Sequence, residues 1–233
     1  MKLSKETIEI LKNFSGINQS IVVKAGNKLK TINTLKNILA HATVEEDFPK
    51  EFAIYDLNEF LGLLSIMSDP ELTFNDTDVT VSDSDNESRP DKFRYADTDY
   101  IVKPEKDIDM PESDINFKLS EEVYVNLDKV ATILQLHDIC LKGCEKSGKI
   151  LLCATNKKND SSNDYSEEVG EGVTKNFNIV MKKENLKILP DDYDVSIGFN
   201  EENGVMKGIS HFKNVNLDLE YWIALEPTSE YGE

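Results

Sequence analysis

The sequence predicts an α+β protein of two similar domains, each with antiparallel sheets and two helices. A long-range repeat is the first reason. "FAIYDLNEFLGLL" from Phe52 and "FNIVMKKENLKIL" from Phe177 lie 125 residues apart (177 − 52). They agree at Phe52/Phe177, Ile54/Ile179, Glu59/Glu184, Leu61/Leu186 and Leu64/Leu189. "LSK" at Leu3–Lys5 and "LDK" at Leu127–Lys129 echo each other more weakly, each placing a capping residue before a lysine. The second reason is the apolar/polar alternation that fills most of both halves. The third is "VKPEKDIDMPESD" at 102–114, a charged stretch with two prolines that reads as a linker where the repeat requires one. The expected division is 1–106, a linker at 107–114, and 115–233.

"MKLSKETIEILKNF" opens the chain as an amphipathic helix. Leu3, Ile8, Leu11 and Phe14 share one side, Lys5 and Lys12 lie opposite, and Lys2 stands just ahead. "INQSIVVKAGNKLKTINTL" alternates around the turn "AGNK" and predicts a β-hairpin. A short strand follows near Phe52–Ile54, then a helix from Asp56, its N-cap, to about Met67. Residues 68–100 are acidic and turn-rich, yet "LTFNDTDVTVSD" and "KFRYADTDYIV" keep strand alternation. In the second half "INFKL" begins a new set of strands, followed by a helix at about Asp128–Gln135. "DICLKG" and "GKILLCAT" read as paired strands, 156–172 as a polar loop, and "NFNIV" as a strand. A helix at about Lys182–Leu189 should stop at Pro190. The last strands are "DYDVSIGF", "GVMKGISHF" and "VNLDLEYWIAL".

The chain carries 26 basic and 44 acidic side chains, a net charge of −18. That balance argues against a generic basic nucleic-acid binder. It leaves room for a local basic surface, because screening limits exposed charge to roughly 10 Å at 0.1 M salt. Only Arg89 and Arg94 are arginines, and lysine suits loose phosphate attraction rather than base reading. Any contact with nucleic acid should therefore ignore sequence. Cys140, Cys144 and Cys153 follow His137 at no standard zinc spacing and read as reduced structural thiols. No metal site and no cofactor are expected. "NDTDVTVSDSDNES" at 75–88 lacks the glycine and terminal glutamate of a calcium loop and reads as an acidic hairpin tip. No phosphate loop, nucleophile elbow or paired-histidine motif is present, so an enzyme is not expected. The longest apolar run, "ILLCA", is too short to span a bilayer, and no secretion leader is expected, since no charged-then-apolar stretch stands ahead of it.

Three of the four expected helices place lysine on the outward side: Lys5 and Lys12, then Lys129, then Lys182, Lys183 and Lys187. Taken singly, each is an ordinary solvated face, with Glu9 between Lys5 and Lys12 as a helix ion pair. Taken together they point to a shared basic surface.

"MKLSK", "ILKNF", "AIYDLNEFLGLLS", "FNIVMKKENLKILPDDY" and the ending "EYWIALEPTSEYGE" resemble, in order along the whole chain, the sliding clamp of T-even-type bacteriophages. The resemblance implies a ring of three subunits around duplex DNA, with helices lining the hole and sheets outside. It implies a processivity factor that tethers the replicative DNA polymerase in the host-cell cytoplasm. It also implies an ATP-driven clamp loader as partner, a part in late transcription and no catalysis of its own. By position it makes Lys2, Lys5, Lys12, Lys129, Lys182, Lys183 and Lys187 the DNA-facing residues. Its partner groove falls on Asp107, Met110 and Pro111 of the linker and on Ala224, Leu225 and Pro227, with a free tail beyond. Trp222 reads as core. Subunit contacts are expected at an edge strand near Phe93–Val102. The alternative is an acidic DNA mimic or protein-interaction module without a ring, which would carry its acids on the helices.

Overall fold

The computed structural model describes residues 1–83, 86–159, 161–202 and 205–232. The chain divides into two compact units, Met1–Asp107 and Ile108–Glu233. The first runs α1 (Lys5–Ile17), β1 (Ile21–Val23), β2 (Gly26–Ile32), β3 (Ile38–Phe48), β4 (Phe52–Ile54), α2 (Leu57–Ser65), β5 (Pro70–Phe74), β6 (Asp78–Asp83) and β7 (Asn86–Arg94). Ser4 caps α1 by accepting from the Thr7 amide at 3.1 Å. The helix buries Thr7, Ile10, Leu11, Phe14 and Ile17, a stripe at helical spacing that packs on α2 and β3. Leu3 and Ile8 are half-buried at its border. Asp56 caps α2 as expected, accepting from the Asn58 and Glu59 amides at 3.0 and 3.1 Å.

All pairings in this unit are antiparallel: β1 with β4, β2 with β3, and β5–β6–β7 in order. The very tip of the expected acidic hairpin, residues 84–85, lies outside the described residues. The expected hairpin across "AGNK" is corrected. The turn is present, but β1 pairs Ile21 with Ile54, while β2 pairs Leu29 with Ala42. Gly26 adopts φ +106 and the register shifts between it and Lys28, so the chain bends away from β1 before β2 begins.

The second unit runs β8 (Ser113–Leu119), α3 (Glu121–Ile133), β9 (Asp138–Cys144), β10 (Lys149–Thr155), β11 (Tyr165–Glu171), β12 (Phe177–Lys182), β13 (Tyr193–Glu202), β14 (Val205–Asn214), β15 (Leu219–Ala224) and β16 (Glu230–Tyr231). One sheet has the order β8-β13-β14-β15 and the other β11-β10-β9-β12-β16, with every pair antiparallel. α3 buries Tyr124, Leu127 and Ala131 and packs on β10 and β11. The Tyr124 hydroxyl lies 3.2 and 3.1 Å from the carbonyl oxygens of Leu186 and Ile188, which ties the helix to the segment after β12.

Four sequence readings change here. α3 starts at Glu121 behind the Ser120 cap, so the true echo of "LSKE" at Leu3–Glu6 is "LSEE" at Leu119–Glu122, and Asp128 is mid-helix rather than a cap. The fourth helix is absent, replaced by a 3-10 turn at Lys183–Asn185. The repeat explains this: Asp56 caps α2, but the matching position holds Met181, which is buried and keeps β12 extended to Lys182. Lys182 then provides no side-chain cap. Within the polar stretch 156–172, Tyr165–Glu171 is a strand paired to β10, its carboxylates marking a charged sheet edge. The tail is not free, since Phe177 and Asn178 of β12 pair with Tyr231 and Glu230.

Cys140 and Cys153 are buried cross-strand partners on β9 and β10, and burial pushes both thiols up from their ordinary pKa. Cys144 is exposed, and hydrogen bonds from the Ser147 amide and hydroxyl hold its thiol low. No helix among the described residues is long and apolar enough to cross a membrane.

Candidate DNA-facing and partner surfaces

The sequence-predicted lysines fall into two groups. Lys5 and Lys12 of α1 and Lys129 of α3 are exposed, and no carboxylate among the described residues lies within 4.0 Å of them. The others are engaged or differently placed. Lys2 pairs with Asp69. Lys183 reaches Asp128 of α3 at 2.8 Å. Lys182 pairs with Asp138, whose side chain is only 3% exposed. Burial alone would raise the Asp138 pKa, but the Lys182 ammonium and the Lys157 amide outweigh it and hold the carboxylate low. Lys182 and Lys183 thus join β12 and the 3-10 turn to β9 and α3, and the helix that would have turned them outward is missing. Lys187 is exposed beyond that turn.

The helix faces are also less basic than the lysine pattern predicts. The exposed side of α1 carries Glu6 and Glu9 beside Lys5 and Lys12, and α3 exposes Glu121 and Glu122 beside Lys129. What α1 does have is a firm seat. Glu46 on β3 is 8% exposed and accepts from the Ser4 amide and the Thr7 hydroxyl at the helix N-terminus. Burial raises its pKa, and these hydrogen bonds outweigh burial to leave it lowered. A carboxylate there also faces the positive end of the helix dipole.

The second unit contains an open cavity of about 710 Å³. Ile108 and Pro111 form one wall, Phe199 and Ile209 the sheet floor, and Ala224, Leu225 and Pro227 the far side. Two glycines shape it. A Cβ on Gly198 would lie 2.7 Å from Pro111 Cγ and 2.8 Å from the Glu112 carbonyl oxygen, so only glycine lets the 111–112 segment lie on β13. A Cβ on Gly208 would meet Leu225 Cδ1 at 2.4 Å and Phe199 Cε1 at 2.8 Å. Leu225 is held in place by its amide donating to the Gly208 carbonyl at 3.1 Å, and the Glu226 amide donates to the Val180 carbonyl at 2.8 Å. Phe199 stacks on Tyr231 with ring centroids 5.1 Å apart.

Of the predicted groove residues, Pro111, Ala224, Leu225 and Pro227 line this cavity. Met110 is not among the lining residues. Asp107 belongs to the first unit, where it pairs with Lys30 and lies 3.7 Å from His41. Trp222 is buried at 8% exposure and stacks on His211, as expected of a core residue. Sequence reasoning missed Phe199 and Ile209, because a half-buried strand residue carries no signal that distinguishes cavity floor from core.

Paired antiparallel sheets with helices packed beneath, repeated in two units, define the architecture of the processivity clamps. Proliferating cellular nuclear antigen from Entamoeba histolytica matches it with a TM-score of 0.66 at 15% identity, covering 94% of each chain. A chain of the PCNA2-PCNA3 complex from Sulfolobus tokodaii matches with a TM-score of 0.64, also at 15% identity, over 95% of this chain and 96% of that one. In sequence, the DNA polymerase processivity factor family matches residues 4–103, and the gp45 sliding clamp, C terminal family matches residues 116–227. The sliding clamp of Vibrio phage KVP40 is 36% identical over 97% of this chain and 99% of its own. That of Enterobacteria phage T4 is 30% identical over 99% of both chains, and that of Escherichia phage RB69 is 34% identical over 84% of this chain and 87% of its own. The chain belongs to the phage sliding clamp family, whose members are processivity factors and not enzymes.

Proposed function

We propose that three copies of this chain close into a ring around duplex DNA and tether the replicative DNA polymerase to its template. The polymerase docks a short peptide in the cavity between Pro111 and Leu225, and that cavity is the observation that carries the reading. Its walls are mainly apolar with Asp109, Lys207 and Glu226 among the lining residues, it is partly preformed, and its size suits two or three inserted side chains. An ATP-driven loader opens the ring in the host-cell cytoplasm, and late-transcription factors use the same groove. Residues 1–106 and 115–233 act as the two clamp domains, joined through 107–114.

Two sheet edges support the ring. β7 in the first unit and β11 in the second each end a sheet, and neither has a further strand partner among the described residues. The opposite edge of the first unit's small sheet is covered, because the Leu72 amide donates to the Met1 carbonyl at 2.7 Å and the Met1 ammonium donates back to the Leu72 carbonyl at 2.8 Å. β7 carries Lys92 and Arg94, while β11 carries Glu167, Glu168 and Glu171. Pairing β7 of one copy with β11 of the next is a head-to-tail contact, the type that closes into rings.

The test is primer extension on a primed circular template with polymerase and loader supplied. Leu225→Asp should abolish the lengthening of products while leaving the native mass unchanged. Full-length products with that variant would refute peptide docking in this cavity.

A further inference from the structure

A second concavity, of about 440 Å³, lies wholly within the first unit. One wall is the turn between β1 and β2, where Gly26 at φ +106 folds Lys24 and Lys28 toward the same space. The other is the irregular segment Lys103–Asp107. Lys24, Lys28, Lys30, Lys103 and Lys106 all line it, five of the chain's 26 basic residues in a protein of net charge −18. Of these five, only Lys30 is ion-paired among the described residues, to Asp107. No carboxylate among the described residues lies within 4.0 Å of the ammonium groups of Lys24, Lys28, Lys103 and Lys106. Glu105 and the Lys30-bound Asp107 also line the cavity, so five ammonium groups share it with two carboxylates, and the remaining net positive charge is relieved when an anion enters.

We infer that this cavity is a docking site for an acidic peptide segment of a partner protein. Shape selects a peptide over duplex DNA. A cavity of this volume, with Val22, Ala25 and Pro104 on its surface, admits a few side chains, whereas a duplex presents its phosphates on a broad convex cylinder. Lysines on flexible stems suit carboxylates at several spacings, so charge density in the peptide should matter more than its sequence. The site does not depend on the ring or on the apolar cavity of the second unit.

The experiment is fluorescence anisotropy of fluorescein-labelled hexa-glutamate against the full chain at roughly 0.1 M salt, where repulsion from distant acids is screened. Hexa-glutamine and a short labelled duplex serve as the comparison probes. The expected result is saturable binding of hexa-glutamate only, weakened about tenfold in Lys24→Gln/Lys28→Gln/Lys103→Gln. The control Lys36→Gln/Lys142→Gln/Lys146→Gln removes the same charge from exposed positions elsewhere and should bind within about twofold of the unaltered chain. Equal weakening in both triple variants would overturn the proposal in favour of a general field effect. So would absence of hexa-glutamate binding, or a cavity variant that loses duplex binding instead. A failed polymerase assay with intact hexa-glutamate binding would count against the clamp reading alone.

Discussion

Lys5 and Lys182 are the same residue type with opposite tasks, and a substitution separates them. Lys5 and Lys12 are exposed on a well-seated helix, so Lys5→Glu/Lys12→Glu should change stability by no more than about 0.5 kcal/mol. It should shorten loader-dependent retention on DNA several-fold, as read by single-molecule residence time, because each lysine beside a phosphate contributes free energy through counterion release. Lys182→Ala should do the reverse. It strands the Asp138 carboxylate, and because Lys182 itself is 32% exposed the cost should fall near about 2 kcal/mol rather than at the full value for a buried pair. Urea midpoints should show that loss with retention unchanged. Gly208→Ala probes the cavity in a similar way. The added Cβ meets the ends of two side chains rather than backbone, so Leu225 should swing aside and weaken peptide capture with little change in folding. A fully stable variant with unaltered polymerase stimulation would show that Leu225 does not shape the groove.

At the level of elements, α1 owes its position to Glu46 as well as to its apolar stripe. The folded carboxyl is held below its ordinary pKa, so its contribution is present above the unfolded value near ~4.3 and disappears as pH falls through the lower folded value. Glu46→Gln should therefore lower the thermal midpoint at pH 7, and the gap to the unaltered chain should narrow toward pH 3. A gap independent of pH would rule out the carboxylate as its source. Sequence patterns located α1, α2 and most strands because their caps and periodicities are local. They failed where a distant group decides the outcome. The 125-residue repeat was legible, but whether it yields a helix turned on one position, Asp56 against Met181. The strand at Tyr165–Glu171 was hidden because Glu167 stands between Tyr165 and Val169 on its half-buried face, which breaks the apolar alternation. That Pro111, Ala224, Leu225 and Pro227 share one cavity was foreseen only through family likeness, since neither Pro111 nor Leu225 announces a cavity; Asp107, grouped with them on the same basis, lines the first unit's lysine cavity instead.

For the whole molecule, charge sets the terms. Three copies would carry 3 × −18 = −54, so assembly must overcome long-range self-repulsion that salt screens. Light scattering across a dilution series should give a mass near three times 26.4 kDa that falls on dilution. Raising salt modestly from a low starting point should shift the dissociation to lower protein concentration, by weakening the repulsion between subunits. Reversing Lys92 and Arg94 to glutamate should move it the other way, since β7 would then meet an acidic β11. A mass of one subunit at every concentration would remove the ring.

The three thiols also make the protein its own reporter. Cys140 and Cys153 are sealed between strands with thiols that resist ionisation, while Cys144 is open to solvent and ionises more readily. A maleimide dye added briefly at neutral pH should attach at one position per chain without any engineered cysteine. The unaltered clamp could then be followed by fluorescence as it is loaded, slides and is released.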